Sequence, residues 1–130
     1  MNIERLKTLA RFLNTRVSDK EFDIRYWISK SDCGTTCCAL GWACCIPDFQ
    51  ESGLTLYKVR NYDTPIPCYN VGEEKHESFK AAEEFFGLTN KECFYIFDSA
   101  QYKNDENVSP KTVSRRIYKL IKDNGIVNVS

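Results

Sequence analysis

Apolar residues recur at helical spacing near both ends of the chain. In residues 2–14 they return every three or four positions, which predicts an amphipathic first helix. Residues 74–86 repeat this pattern ahead of Gly87, a residue type that often ends helices. Ser109 and Pro110 are typical of a helix start, and an amphipathic pattern follows them. The two ends of the chain are therefore predicted to be helical.

The middle of the chain carries two further patterns. Residues 34–46 are apolar on every side of a helical wheel, which predicts a central helix buried on all faces. Residues 53–71 mix β-branched and aromatic side chains with prolines, which indicates a small β-hairpin or an extended excursion. Thr89 and Glu92 form a capping-box pattern for one more helix. We expect a mainly α protein, a compact bundle of about five helices around the central helix.

Length and charge narrow the classes of protein. The 130 residues fit one globular domain, 1–130, and the aromatic content is too high for a disordered chain. Equal numbers of basic and acidic side chains argue against a nucleic acid or a membrane surface as the partner. The longest apolar stretch is about half of the roughly 20 residues that a membrane-spanning helix needs. No signal-peptide pattern opens the sequence, so we expect a cytoplasmic protein.

The seven cysteines are an odd number, which favours reduced thiols over a disulfide framework. Cys37 and Cys38 form one adjacent pair, and Cys44 and Cys45 form another, seven residues further on. On a continuous helix the two pairs would be about 10 Å apart, too far to share one metal ion. We therefore predict packed thiols, with no metal and no cofactor.

The start of the predicted central helix has the chemistry of an anion site. A glycine and two threonines there would offer free backbone N–H groups and hydroxyls at the positive end of the helix dipole. Two aromatic side chains earlier in the chain could stack on a base. The alternative is a well-capped buried helix that binds nothing. The candidate ligand-binding residues are Cys33, Gly34, Thr35, Thr36, Tyr26 and Trp27.

A cysteine nucleophile at that helix start is a second hypothesis. The dipole would lower the pKa of such a thiol, and catalysis would also need a base. His76 is the only histidine of the chain and lies in a charged stretch typical of a solvated surface. Cys33 or Cys37 with His76 is accordingly the candidate catalytic pair of a hydrolase or transferase, set against an expectation that the protein is not an enzyme.

The predicted last helix has a basic face opposite an apolar one. This face suits an acidic partner, and the segment also resembles the recognition helix of winged helix-turn-helix proteins. The zero net charge weighs against DNA binding, which stays an alternative. The candidate partner-binding residues are Lys111, Arg115, Lys119 and Lys122.

Several segments together resemble a family of small uncharacterised proteins found mainly in bacteriophages and prophages. The resemblance is carried by CGTTCCALGWA at 33–43, IPDF at 46–49, EFFGL at 84–88 and the helix start Ser109-Pro110. It implies a viral origin rather than an activity. We expect a small phage-type accessory binding protein that grips a host protein or sequesters a phosphorylated small molecule, and that acts as an inhibitor of host antiviral defence.

Overall fold

Helices and two small antiparallel sheets share this chain. The structure is a computed structural model that describes residues 1–31, 34–58, 60 and 64–123. Within these residues the helices are α1 (Ile3–Arg16), α2 (Ala39–Ala43), α3 (Pro47–Glu51), α4 (Phe79–Phe86), α5 (Asn90–Phe97) and α6 (Pro110–Lys122). The strands are β1 (Ser29–Ser31), β2 (Gly34–Thr36), β3 (Leu54–Tyr57), β4 (Ile66–Val71) and β5 (Glu74–Glu77).

The prediction of a mainly α bundle of about five helices is wrong, because the described residues form a mixed α/β structure with six helices and two sheets. The main error is the central helix 34–46. Thr35 and Thr36 belong to β2, which pairs with β1, and only Ala39–Ala43 is helical. β-Branched threonines favour extended backbone, and the apolar residues that follow them are too few to distinguish a buried helix from a buried strand by their pattern.

The helix predicted over 74–86 also begins later than expected. Residues 74–77 form β5, and the helix starts at Phe79. β5 joins β4 through a two-residue loop in which Gly72 has φ +60°, a conformation that glycine adopts without steric cost. β3 and β4 lie in the predicted excursion 53–71 and, with β5, form a sheet of order β3-β4-β5.

Three helices begin directly after a residue whose side chain caps the helix N-terminus. Asn2 caps α1, accepting a hydrogen bond from the N–H of Arg5 at 3.1 Å. The capping box predicted at Thr89 and Glu92 is present at the start of α5. Ser109 accepts from the N–H of the third residue of α6 at 3.2 Å. These bonds satisfy backbone donors that have no partner within the helix.

The most extensive contact between two elements is that between α1 and α6. Their facing side chains are fully buried, and the hydroxyl of Ser114 donates to the carbonyl of Ala10 at 3.0 Å across this layer. α4 and α5 close the core from the other side with aromatic rings. The fully buried large side chains of these four helices are Leu6, Leu9, Leu13, Phe85, Phe86, Ile96, Phe97, Val113, Ile117 and Leu120.

Gly41 is the point where α2 touches the preceding loop. A Cβ atom at this position would overlap the carbonyl oxygen of Trp27 and lie 3.0 Å from the Cβ of Cys37. The indole N–H of Trp42 donates to the carbonyl of Glu21 at 2.8 Å beside this contact. Glycine is therefore required at 41 by close approach, although its backbone is helical.

We expect Gly41→Ala to destabilise the protein by at least about 2 kcal/mol, because the added methyl group displaces the Trp27 backbone. Urea unfolding measures this cost. Gly72→Ala is the matched control: the space around Gly72 is open, so its cost is the roughly 1 kcal/mol of a left-handed alanine. Alanine is the better helix former, so a stabilised Gly41→Ala variant would contradict the close approach.

Candidate functional site

The segment before β1 is fixed by backbone hydrogen bonds to the residues that lead into α2. The N–H of Cys37 donates to the carbonyl of Glu21, and the N–H of Asp23 donates to the carbonyl of Cys37, both at 3.1 Å. The N–H of Cys38 donates to the carbonyl of Tyr26 at 2.8 Å. The backbone of residues 21–26 is thus held at three points, which directs the side chains that follow into solvent and toward α4.

A cavity of about 580 Å³ lies between this segment and the facing ends of α4 and α5; we call it the Tyr26 groove. Its apolar floor includes Ile24 and Phe97, which are buried. Trp27 meets Phe79 edge to face, with 5.0 Å between the ring centroids. Tyr26 is 50% exposed at the rim. The polar lining residues are Arg25, Ser29, Lys30, Thr64, Asp98 and Ser99.

A second cavity of about 370 Å³ continues the Tyr26 groove. The two cavities share Ile28, Lys30 and Thr64, and the second adds Lys58 and Pro65. The two cavities therefore adjoin at these shared residues, and we use the name Tyr26 groove for both, from the aromatic side chains of the 23–30 segment to Lys58, which follows β3.

Some charged side chains of the Tyr26 groove have partners in the described part of the chain, and others do not. Arg25 donates from Nε and Nη2 to the two carboxylate oxygens of Asp23, at 2.9 and 2.8 Å. The Asp98 carboxylate accepts from the N–H of Ala100 at 3.1 Å. Lys30 and Lys58 are exposed, and neither makes an ion pair with a residue that the structure describes. Among the basic residues that line the two cavities, these two lysines are the ones without an ion-pair partner in the described part of the chain.

Asp23 orients the arginine rather than serving as an acid or base. The hydrogen bonds from Arg25 lower the pKa of the Asp23 carboxyl, so it is ionised at neutral pH. The guanidinium carbon of Arg25 also lies 5.3 Å from the centroid of the Tyr26 ring. The ion pair therefore holds the arginine beside the exposed ring.

The helix start on which the predicted anion site rested is not at residues 34–36. Gly34, Thr35 and Thr36 lie on β2, and the first two are exposed there. The Thr36 hydroxyl donates to the carbonyl of Ser29 at 3.4 Å, within the hairpin. Free N–H groups at a helix start are therefore not available at Thr35 and Thr36, because the helix begins only at Ala39. Cys33 lies outside the described residues.

Tyr26 and Trp27, predicted as stacking surfaces, do line the Tyr26 groove. Sequence reasoning missed Lys30, Lys58 and Phe79, which come from different elements. The signal that could have found part of this set is local, since Arg25 directly precedes the two aromatic residues. A cation next to exposed aromatic rings is a common feature of nucleotide and nucleic-acid sites.

Cys37 and His76 are on different elements with different partners. The Cys37 side chain is 1% exposed, and a hydrogen bond with Cys45, followed by burial, raises its pKa well above the usual range. His76 lies on β5, where its Nε2 is 3.3 Å from a carboxylate oxygen of Glu74 and its ring faces Tyr69. A protonated, buried thiol of this kind is a poor nucleophile.

The basic face of α6 is present and exposed. It comprises Lys111, Arg115, Lys119 and Lys122, and the opposite face packs on α1. Residues 98–109, which contain two short 3-10 turns, separate α5 from α6. A helix-turn-helix joins its helices by three or four residues, so this arrangement differs from the one that the DNA-binding hypothesis requires.

Comparisons with protein-family models, with curated proteins and with solved structures gave no match. In the part of the chain described here, no helix has both the length and the apolar character needed to cross a membrane. The groove's own chemistry is accordingly the basis for a functional proposal.

We expect Asp23→Asn to cost at most about 1 kcal/mol of stability at pH 7, the range of an exposed ion pair. Because the folded-state pKa of Asp23 is lowered, this stabilisation is present above its unfolded pKa and is lost as the pH falls through the folded one. Thermal unfolding between pH 2 and pH 7 measures the difference, with Asp19→Asn as the control on the same segment. Equal costs at pH 7 would contradict a stabilising ion pair.

Proposed function

We propose that the protein is a binding protein for a phosphorylated small molecule with a planar ring, of the nucleotide class, and that the ligand occupies the Tyr26 groove. The observation that carries this proposal is that the aromatic and the basic residues line different parts of the groove. The exposed ring of Tyr26 and the half-buried ring of Trp27 line one part, and Lys30 and Lys58 line the adjoining part. A nucleotide has a matching arrangement, with its planar ring at one end and its negatively charged phosphate at the other.

The size and chemistry of the groove fit such a ligand. Its two parts have volumes of about 580 and 370 Å³, within the range of small-molecule sites. Stacking of a base on an aromatic side chain contributes about 1–3 kcal/mol. The lysine ammonium groups are mobile point charges that suit phosphate oxygens, and the hydroxyls of Thr64 and Ser99 add hydrogen-bonding groups at the rim.

The resemblance to bacteriophage proteins supplies a context for this binding. A small accessory protein that holds a nucleotide without turning it over would lower the free concentration of that nucleotide in the host cell. Where the nucleotide is a signal of antiviral defence, sequestration would inhibit the defence. Inhibition by this route depends on tight binding and requires no catalytic residues.

Thermal shift of the purified full chain against nucleotides, cyclic dinucleotides, nucleosides and inorganic pyrophosphate tests the class of ligand. A ligand at 100 times its Kd stabilises the folded state by about 2.7 kcal/mol, which is readily measured in a domain of this size. We expect a shift with at least one phosphorylated ligand and a much smaller shift with its nucleoside or with pyrophosphate alone. A flat panel would overturn the nucleotide proposal.

Single substitutions then place the ligand in the groove. We expect Tyr26→Ala to weaken binding of the selected nucleotide by about tenfold or more, since stacking is lost. Lys30→Gln should weaken it by a similar factor, because a charged contact to phosphate is lost. Titration calorimetry measures both changes. The matched controls are Tyr118→Ala and Lys103→Gln, which remove an exposed tyrosine and lysine elsewhere and should leave binding unchanged.

An acidic host protein bound to the basic face of α6 is the second candidate function. The four cations of this face are exposed, and only Lys119 makes an ion pair within the described residues, with Asp123 at 3.8 Å. We expect Arg115→Glu with Lys119→Glu to abolish such a complex and to leave folding intact, because both side chains are exposed. Size-exclusion analysis of a captured complex measures this. Undiminished complex formation would contradict a role for the face.

A further inference from the structure

One carboxylate lies among the residues that line the aromatic part of the Tyr26 groove. Asp98 lines the cavity of about 580 Å³ together with Tyr26 and Trp27, and it is half-buried there. Among the described residues that line the two cavities, Asp98 alone is acidic. It does not line the adjoining cavity, to which Lys30 and Lys58 contribute. In the proposed binding mode the carboxylate therefore lies beside the ring of the ligand rather than beside its phosphate.

The backbone and the side chain of Asp98 are both fixed by hydrogen bonds. Its N–H donates to the carbonyl of Phe94 at 3.0 Å, and its carbonyl accepts from the N–H of Gln101 at 3.0 Å. Its Oδ1 accepts from the N–H of Ala100 at 3.1 Å. Arg116 joins this turn to α6 by donating to the carbonyl of Gln101 at 2.9 Å. The carboxylate is thus held in place before a ligand binds, which lowers the entropic cost of binding.

The Asp98 carboxylate can accept further hydrogen bonds. A carboxylate has about four lone-pair sites on its two oxygens, and the Ala100 N–H occupies one of them. Within the described ranges the side chain makes no ion pair and no other hydrogen bond. Both oxygens are therefore able to accept from a ligand. An ionised carboxylate has no proton to donate, so the group that it recognises must be a donor.

The place of Asp98 in the fold suits contact with the edge of a ring. It directly follows Phe97, which belongs to the apolar floor of the cavity. A planar base that stacks on Tyr26 or Trp27 has its faces covered and presents its edge to the side chains around it. The edge of a base carries the hydrogen-bonding groups that distinguish it from other bases. A carboxylate at this position can therefore select among bases.

We propose that Asp98 selects guanine, so that the ligand of the Tyr26 groove is a guanine nucleotide; this inference rests on the nucleotide-binding function proposed above. Guanine presents two adjacent donors, its ring N–H and its exocyclic amino group, and a carboxylate can accept one on each oxygen. Adenine and cytosine present an acceptor nitrogen next to the amino group, and that lone pair would be repelled by a carboxylate oxygen. Hypoxanthine, the base of inosine, keeps the ring N–H and lacks the amino group.

Titration calorimetry of the full chain with matched nucleotides tests the choice of base. The probes are guanosine, inosine and adenosine triphosphates and the cyclic dinucleotides of guanine and of adenine. We expect guanosine triphosphate to bind at least about tenfold more tightly than inosine triphosphate, because one charge-assisted hydrogen bond is lost, and at least about 100-fold more tightly than adenosine triphosphate, because both are lost. Deoxyguanosine triphosphate should bind like the ribose form, since the carboxylate contacts the base.

Substitutions of Asp98 give a readout that a merely structural role would not move. Asp98→Asn keeps an oxygen for the Ala100 N–H and presents an amide, whose adjacent donor and acceptor match adenine. We expect it to weaken guanine binding by at least about tenfold and to strengthen adenine binding, so that the preference reverses. Asp98→Ser keeps a capping oxygen and should lose the preference without gaining adenine. Asp48→Asn removes an exposed carboxylate on α3 and should leave the preference unchanged.

Failure of this inference is distinguishable from failure of the proposed function. If none of the nucleotides binds, both are wrong. If nucleotides bind and Tyr26→Ala weakens them, the groove is a nucleotide site; equal affinities for guanine and adenine, or an unchanged preference in Asp98→Asn, then overturn the role of Asp98. Weak binding of deoxyguanosine triphosphate would assign the carboxylate to the ribose and would also overturn it. The ratio of two affinities measured on one variant is independent of the fraction that is folded.

Discussion

The close approach of α2 to the carbonyl oxygen of Trp27 is the constraint on which the rest of the site depends. Only a residue without a side chain allows it, and that residue is Gly41. The approach brings the N–H of Cys38 within 2.8 Å of the carbonyl of Tyr26 and the indole of Trp42 within 2.8 Å of the carbonyl of Glu21. A loop without strand or helix over most of its length thereby acquires a fixed path, and this path forms one wall of the Tyr26 groove.

The opposite wall is rigid for a different reason. Phe79 and Phe97 belong to helices that are joined by aromatic contacts, among them the edge-to-face pair of Phe79 and Phe94, whose centroids are 5.4 Å apart. The residues that follow α5 are fixed by Arg116, which donates to the carbonyl of Gln101 at 2.9 Å. The groove therefore lies between two walls that are set independently of any ligand, as in most small-molecule sites.

Local signals made part of this structure predictable. The helix starts at Thr89 and Ser109 could be recognised because a capping side chain and its backbone donor are three residues apart. Strands β2 and β5 could not, since their stability comes from pairing with another segment, and residues 74–77 are charged rather than β-branched. The residues of the candidate site can likewise be separated into those that local sequence indicates and those that only the fold brings in. Tyr26 and Trp27 are neighbours in sequence, whereas Lys58 reaches the groove only through the fold.

The distribution of cations supports the proposal of a small ligand over that of a polymer. Arg25 is engaged by Asp23, whereas Lys30 and Lys58, next to one end of the aromatic surface, make no ion pair with a residue that the structure describes. A nucleic acid is bound by a row of cations that follows its backbone, and its affinity rises with the number of phosphates contacted. The row of exposed cations on α6 does not line the groove, and the opposite face of that helix packs on α1. Two lysines beside one pair of rings match one charged group joined to one planar group.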